Sequence, residues 1–124
     1  MIEPEQRMPA IDRLVHEPAR LTILCVLAAC ERADFLFLER ATGLTRGNLS
    51  VQLSRLEDAG LIEIEKIILR KRTLTTASLA RRGRQALDSY WQAMEAMRAQ
   101  GQPRPAKAVR SPRRPSTRPA PATT

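Results

Sequence analysis

The sequence predicts a mainly α protein with one small β-hairpin, an α+β fold in which helix, turn, helix and hairpin follow in order before a long last helix. Three observations predict it. Leu49, Leu53 and Leu56 recur at i, i+4 and i+7, the spacing of one helical stripe, while Gly47, Val51, Ser54 and Arg55 fall on the opposite face. After Gly60 the period drops to about two through Leu61, Ile62, Ile64, Ile67 and Ile68, β-branched text that runs into Arg70, Lys71 and Arg72. From about Leu79 or Ala80 to Gln100 the text is helical again.

The elements follow from local chemistry. In IDRLVHEP, Ile11, Leu14 and Val15 share a helical face ahead of Pro18, which suits a first turn because its missing N–H costs nothing there. The helix from Pro18 to Cys30 is apolar on nearly all sides (Leu21, Ile23, Leu24, Val26, Leu27, Ala28), as expected at the centre of a small core. Asp34 is a good N-cap for FLFLERAT, with Gly43 as its stop, and Thr45 caps the next helix, which Gly60 terminates. In the last helix Leu87, Tyr90, Met94 and Met97 fall at a 3-4-3 spacing, extended upstream by Gly83. With three helices and a hairpin already serving the core, this seam, with Trp91 beside it, is expected to pair two subunits. The chain divides into a lead (1–10), a helix-turn-helix and hairpin core (11–78), a C-terminal helix for dimerisation (79–100) and a tail (101–124). Six prolines in those last 24 residues, with Ser, Thr, Ala and Arg, leave nothing to bury, so the tail is expected to be disordered.

At 124 residues the chain supports one domain with one modest core. Its net charge of +8 is uneven: the tail holds six bases and no acid, leaving 15 bases against 13 acids in the first 100 residues. Positive charge in the globular part is therefore local, the footprint of specific nucleic-acid contact rather than of a generally basic body. Cys25 and Cys30 lie five apart in one expected helix, on different faces, which disfavours a mutual disulfide and reads as buried thiols in a reducing compartment. Glu3 and Glu5 stand where a signal peptide would carry bases, and the apolar run Leu21 to Cys30 is too short for a bilayer. A cytoplasmic, nucleoid-associated protein is expected. His16 is the only histidine, and no Ser, Cys or acid pair has catalytic or metal-ligand spacing, so neither an enzyme, a bound metal nor a cofactor is expected.

Reading a major groove needs donors and acceptors near the N-terminal half of an inserted helix. Arg46 suits a guanine edge, Asn48 or Gln52 an adenine edge and Val51 a thymine methyl, while Gly47 permits close approach. For Asn48, local capping competes with base contact, and for Gln52 a phosphate competes with a base. Ser50 and Arg55 add polar reach, and Ser54 suits phosphate or solvent. Arg70, Lys71 and Arg72 would meet phosphates or the adjacent minor groove. Arg81, Arg82 and Arg84 have a weaker case, since a helix N-terminus already carries partial positive charge.

Residues 11 to 98, about seven-tenths of the chain, resemble the winged-helix transcriptional regulators of the MarR-like and ArsR-like groups. The resemblance rests on HEPARLTIL, on DFLFLERATGLTRGNLSVQLSRLEDAGLIE, on a basic hairpin and on a Thr-rich strand followed by LARRGRQAL. It implies a recognition segment from Arg46 to Arg55, with Thr45 a further candidate contact at its cap, a wing from Lys66 to Arg72, and a sequence-specific double-stranded DNA-binding homodimer that represses by occlusion. Two departures stand out. Ala80 occupies the place where such proteins cap the last helix with Thr or Ser, which leaves its start open back to Ser78, and the wing has no glycine at its turn. A dimer cleft between first and last helices leaves room for an unidentified small-molecule effector. Two other readings remain: a winged helix that binds an acidic protein partner, and a nonspecific nucleic-acid binder driven by the tail.

Overall fold

The computed structural model describes residues 10–101. The lead up to residue 9 and the basic tail from 102 onward lie outside the described residues. Four helices and three strands follow in the order α1 (Pro18–Ala28), β1 (Ala33–Asp34), α2 (Phe35–Thr42), α3 (Arg46–Asp58), β2 (Ile62–Leu69), β3 (Arg72–Leu79) and α4 (Arg81–Gln100). The strands form one antiparallel sheet in the order β1-β3-β2, with Ile62 opposite Leu79, Leu69 opposite Arg72, and Ala33 opposite Ala77. β1 was not foreseen, because two residues are too few to show a period.

Side chains cap three of the helices, at Asp34 and Thr45 as expected and at Glu17, which the sequence did not single out. Glu17 Oε1 accepts from the Arg20 backbone N–H at 2.8 Å at the start of α1. Asp34 Oδ1 accepts from Phe37 N at 2.8 Å, and Thr45 Oγ1 from Asn48 N at 3.1 Å. Each satisfies one of the donors a helix start leaves orphaned, a contribution of about 1 kcal/mol. Gly43, at φ 75°, ends α2 in the left-handed conformation that a side chain would resist. α4 differs: it starts at Arg81 after Ala80, which offers no capping side chain, and Ser78 stays in β3.

The core lies between the helices and the sheet. Val15, Ile23, Leu24 and Leu27 meet Leu38, the α3 stripe of Leu49, Leu53 and Leu56, and Leu61 and Ile62 of β2. α1 is buried along one stripe (Ala19, Ile23, Leu24, Leu27) rather than on all sides, which corrects the expectation for the thiols. Cys25 faces outward, Cys30 lies half-buried beyond the helix end, and both are free. Partial desolvation nevertheless raises the pKa of the Cys25 thiol, disfavouring its thiolate.

α4 completes this core instead of standing apart from it. Leu87 and Tyr90 are 5% and 3% exposed within their own chain, so they have no surface left for a second subunit. Tyr90 also holds the turn before α1, its hydroxyl 2.8 Å from His16 Nδ1. Three helices and a hairpin do not close the core by themselves: Leu87 and Tyr90 belong to the same buried cluster as Ile23, Leu24 and Leu61. Met94 packs against the same core, while Trp91, 46% exposed, and the half-buried Met97 keep accessible surface beside the buried stripe. No helix among the described residues is long and apolar enough to cross a membrane.

Gly83 sets how closely α4 can dock. A Cβ there would sit 2.0 Å from the Leu61 carbonyl oxygen and 2.8 Å from Leu79 Cδ1. That same carbonyl accepts from Ala80 N at 2.9 Å, so backbone meets backbone at the entry to α4. Gly83→Ala must push the helix outward and is expected to destabilise the fold by about 1–3 kcal/mol. A urea titration checks this as a lowered midpoint at unchanged slope.

Candidate nucleic-acid interface

Burial of the leucine stripe fixes the rotation of α3 and turns the other face outward. Arg46, Gly47, Asn48, Ser50, Val51, Ser54 and Arg55 are all exposed, with Val51 at 50%, whereas Leu49, Leu53 and Leu56 are at 4% or less. Thr45 is the N-cap just ahead of them. Gly47 has nothing within 4 Å of the place a Cβ would occupy, so the fold itself does not require glycine there.

Arg46 is held in reserve rather than free. Its guanidinium lies 3.5 Å from Glu39 Oε1 of α2 and 6.0 Å from the centre of the Phe35 ring. With the Arg46 side chain 74% exposed, the ion pair is worth little and is readily exchanged for a better acceptor. Arg46 and Arg72 both line an open hollow of about 450 Å³ between the starts of α2 and α3 and the hairpin. Ser50 and Ser54 line a smaller one with Phe35, Ile64 and Thr75.

Gln52 does not point outward as expected. It is half-buried, takes a bond from Arg20 Nη1 of α1 at 2.9 Å and gives one to Asn48 Oδ1 at 3.1 Å. Asn48 thus lends its backbone N–H to the Thr45 cap while its side chain stays exposed, so capping and outward presentation coexist. Arg20 was missed by the sequence reading. Its signal was present: an arginine in an otherwise apolar helix needs a partner.

In the hairpin, a two-residue loop joins Leu69 to Arg72, and both of its residues are left-handed: Arg70 at φ 54° and Lys71 at φ 66°. This is the backbone a type I′ turn demands and that Asn-Gly usually supplies. Here two cations occupy it, each at a cost of about 1–2 kcal/mol relative to ordinary backbone. Ile68 and Leu69 beside the tip are 79% and 52% exposed. The turn before α1 and the first half of α4 border an open groove of about 440 Å³ lined by Leu14, Leu61, Arg82 and Ala86.

Residues 19–97 match the model of the winged helix DNA-binding domain family. The chain belongs to that family. In this fold α3 is the second helix of the helix-turn-helix, and the β2–β3 hairpin is the wing. An uncharacterized protein of Methanocaldococcus jannaschii is 31% identical over 78 residues, 63% of this chain and 85% of its own. The transcriptional regulator homologue of Pyrococcus horikoshii superposes with a TM-score of 0.67 at 24% identity, covering 71% of this winged helix chain and 87% of that one. AbsC, a MarR family transcriptional regulator from Streptomyces coelicolor, superposes at 0.53 with 27% identity over 64% of this chain. The match spans 55% of the length of AbsC. The winged helix is thus similar to MarR-family regulators, and its family is that of a DNA-binding regulator.

The strained wing tip makes a direct prediction. Lys71→Gly is expected to raise stability by about 1 kcal/mol by removing the left-handed penalty. In a thermal melt of a domain this size, that appears as a rise of roughly 4–8 °C.

Proposed function

We propose that this winged helix is a sequence-specific regulator of transcription that binds double-stranded DNA as a homodimer and represses by occupying its site. α3 enters the major groove, and the wing lies on the backbone or in the adjacent minor groove. The observation that carries the reading is the outer face of α3, where Arg46, Asn48, Ser50, Val51 and Arg55 are exposed around a glycine the fold does not need. Arg46 supplies bidentate donors for a guanine and Val51 an apolar contact for a thymine methyl. Arg70, Lys71 and Arg72 supply affinity through phosphate. Arg81, Arg82 and Arg84, in an uncapped first turn without an acid, add charge that an anion would relieve.

The dimer surface in this reading is the part of α4 left accessible beside its buried stripe, Trp91 with Met97 and the uncovered edge of Met94. A tryptophan nearly half exposed, beside two methionines one helical turn apart, is what an interface uses as an anchor. Two-fold symmetry then sets two recognition helices on successive turns of one DNA face. Trp91→Asp is expected to convert a dimer to a monomer in sedimentation equilibrium, with the fold intact because the residue lies outside the core.

The deciding experiment is selection from random duplex DNA at physiological salt, on the full chain and on a chain ending at Gln100. Enrichment of one inverted repeat by both is the expected result. On that repeat Arg46→Ala is expected to cost about 1–3 kcal/mol, and Lys71→Ala to lower the salt slope by about 1. Absence of an enriched site, with binding that vanishes along with the tail, would show a nonspecific binder instead.

A further inference from the structure

We propose that Arg20 of α1 sets which end of the Asn48 amide faces DNA, so that Asn48 reads a hydrogen-bond acceptor and rejects cytosine. The inference rests on the reading of α3 as the helix that enters the groove, and deepens it to the specificity of one position. It comes from a chain of bonds in which each link dictates the polarity of the next. A guanidinium only donates. Arg20 is fixed in place by Nε donating to the Leu14 carbonyl at 2.6 Å and by Glu17 Oε1 at 4.0 Å, and its side chain is 11% exposed. Its Nη1 lies 2.9 Å from Gln52, so the Gln52 oxygen must face it and the Gln52 nitrogen must face away.

That nitrogen meets Asn48 at 3.1 Å, which forces the Asn48 oxygen inward as the acceptor. Turning either amide over would set N–H against N–H. What remains at the exposed end of Asn48, in the first turn of α3, is an NH₂ group with two donors. In the major groove it can bond the N7 of a purine, the O6 of guanine or the O4 of thymine, whereas cytosine offers it only another donor. Arg20 is turned into the protein, with Nε and Nη1 engaged by the Leu14 carbonyl and Gln52 and its charge offset by Glu17. It acts as a positioning residue, one helix removed from the base.

The relay can be inverted by one substitution. In Gln52→Glu the carboxylate still accepts from Arg20 but cannot donate to Asn48, so Asn48 must turn its nitrogen inward and expose its oxygen. Arg20→Met removes the anchor and frees both amides, whereas Arg20→Lys keeps a donor-only anchor. The test is duplex selection with the wild-type chain and with Asn48→Ala, Gln52→Glu, Arg20→Met and Arg20→Lys, read as base frequencies so that a uniform loss of affinity cancels. Asn48→Ala marks the position that Asn48 reads. There the wild type is expected to exclude cytosine, Gln52→Glu to admit it with a shift of about tenfold, Arg20→Met to flatten the preference and Arg20→Lys to restore it.

The same preference in wild type and Gln52→Glu, a wild type that favours cytosine there, or an Asn48→Ala profile that changes nowhere would each overturn the proposal. If Arg20→Met fails to fold, Gln52→Glu and Arg20→Lys carry the test. A wild type that enriches no sequence at all overturns the sequence-specific reading itself and takes this assignment with it.

Discussion

Three leucines at helical spacing decide what this molecule can touch. With Leu49, Leu53 and Leu56 sealed into the core, α3 can adopt only one rotation, and each buried leucine holds that rotation with about 1.5–3 kcal/mol of apolar burial. Turning the helix by one residue would expose leucine and bury arginine or asparagine without partners. The outward set of side chains is therefore a consequence of packing, settled before any ligand arrives. α1 backs this arrangement twice: Ile23, Leu24 and Leu27 supply the apolar wall, and Arg20 supplies the polar strut to Gln52.

Much of the architecture was legible because it is written in local code. Asp34, Gly43 and Thr45 are start and stop residues whose chemistry acts within three or four positions, and each does in the structure what its type implies. The change of period after Gly60 gave the hairpin for the same reason. What escaped was non-local. Leu87 and Tyr90 present the same spacing whether a helix packs on its own domain or on another, and only the three-dimensional count of uncovered core separates the two. The Arg20–Gln52 bond joins residues 32 apart, and nothing in either neighbourhood names the other. The wing turn was obscured for the opposite reason: its local code contradicts its conformation, since neither Arg70 nor Lys71 prefers the left-handed region it occupies.

That contradiction fits a division of labour across the surface. At the wing tip, charge has been placed where backbone economy would favour Asn and Gly, the kind of local cost that functional positions carry and a well-packed core tolerates. At α3, charged groups are few and their donors and acceptors are arranged by neighbours: Arg46 by Glu39 and Phe35, Asn48 by Gln52. In the function proposed for this chain, the wing would contribute attraction that any duplex feels and α3 would contribute geometry.

The contact between His16 and Tyr90 joins residues 74 apart and brings the segment before α1 against the last helix. For an open chain, closing such a loop costs about 4 kcal/mol in entropy, but once α2, α3 and the hairpin have formed the effective loop is much shorter. Docking α4 on a partly assembled core therefore costs less entropy than closing the open chain. Were α4 to lift away, the Leu61 carbonyl and the ring of Tyr90 would lose their cover together. The helix that carries Trp91 and Met97 is therefore also the element that covers Leu61 and closes the core, and anything that binds their accessible surface in the folded state stabilises the whole domain against opening.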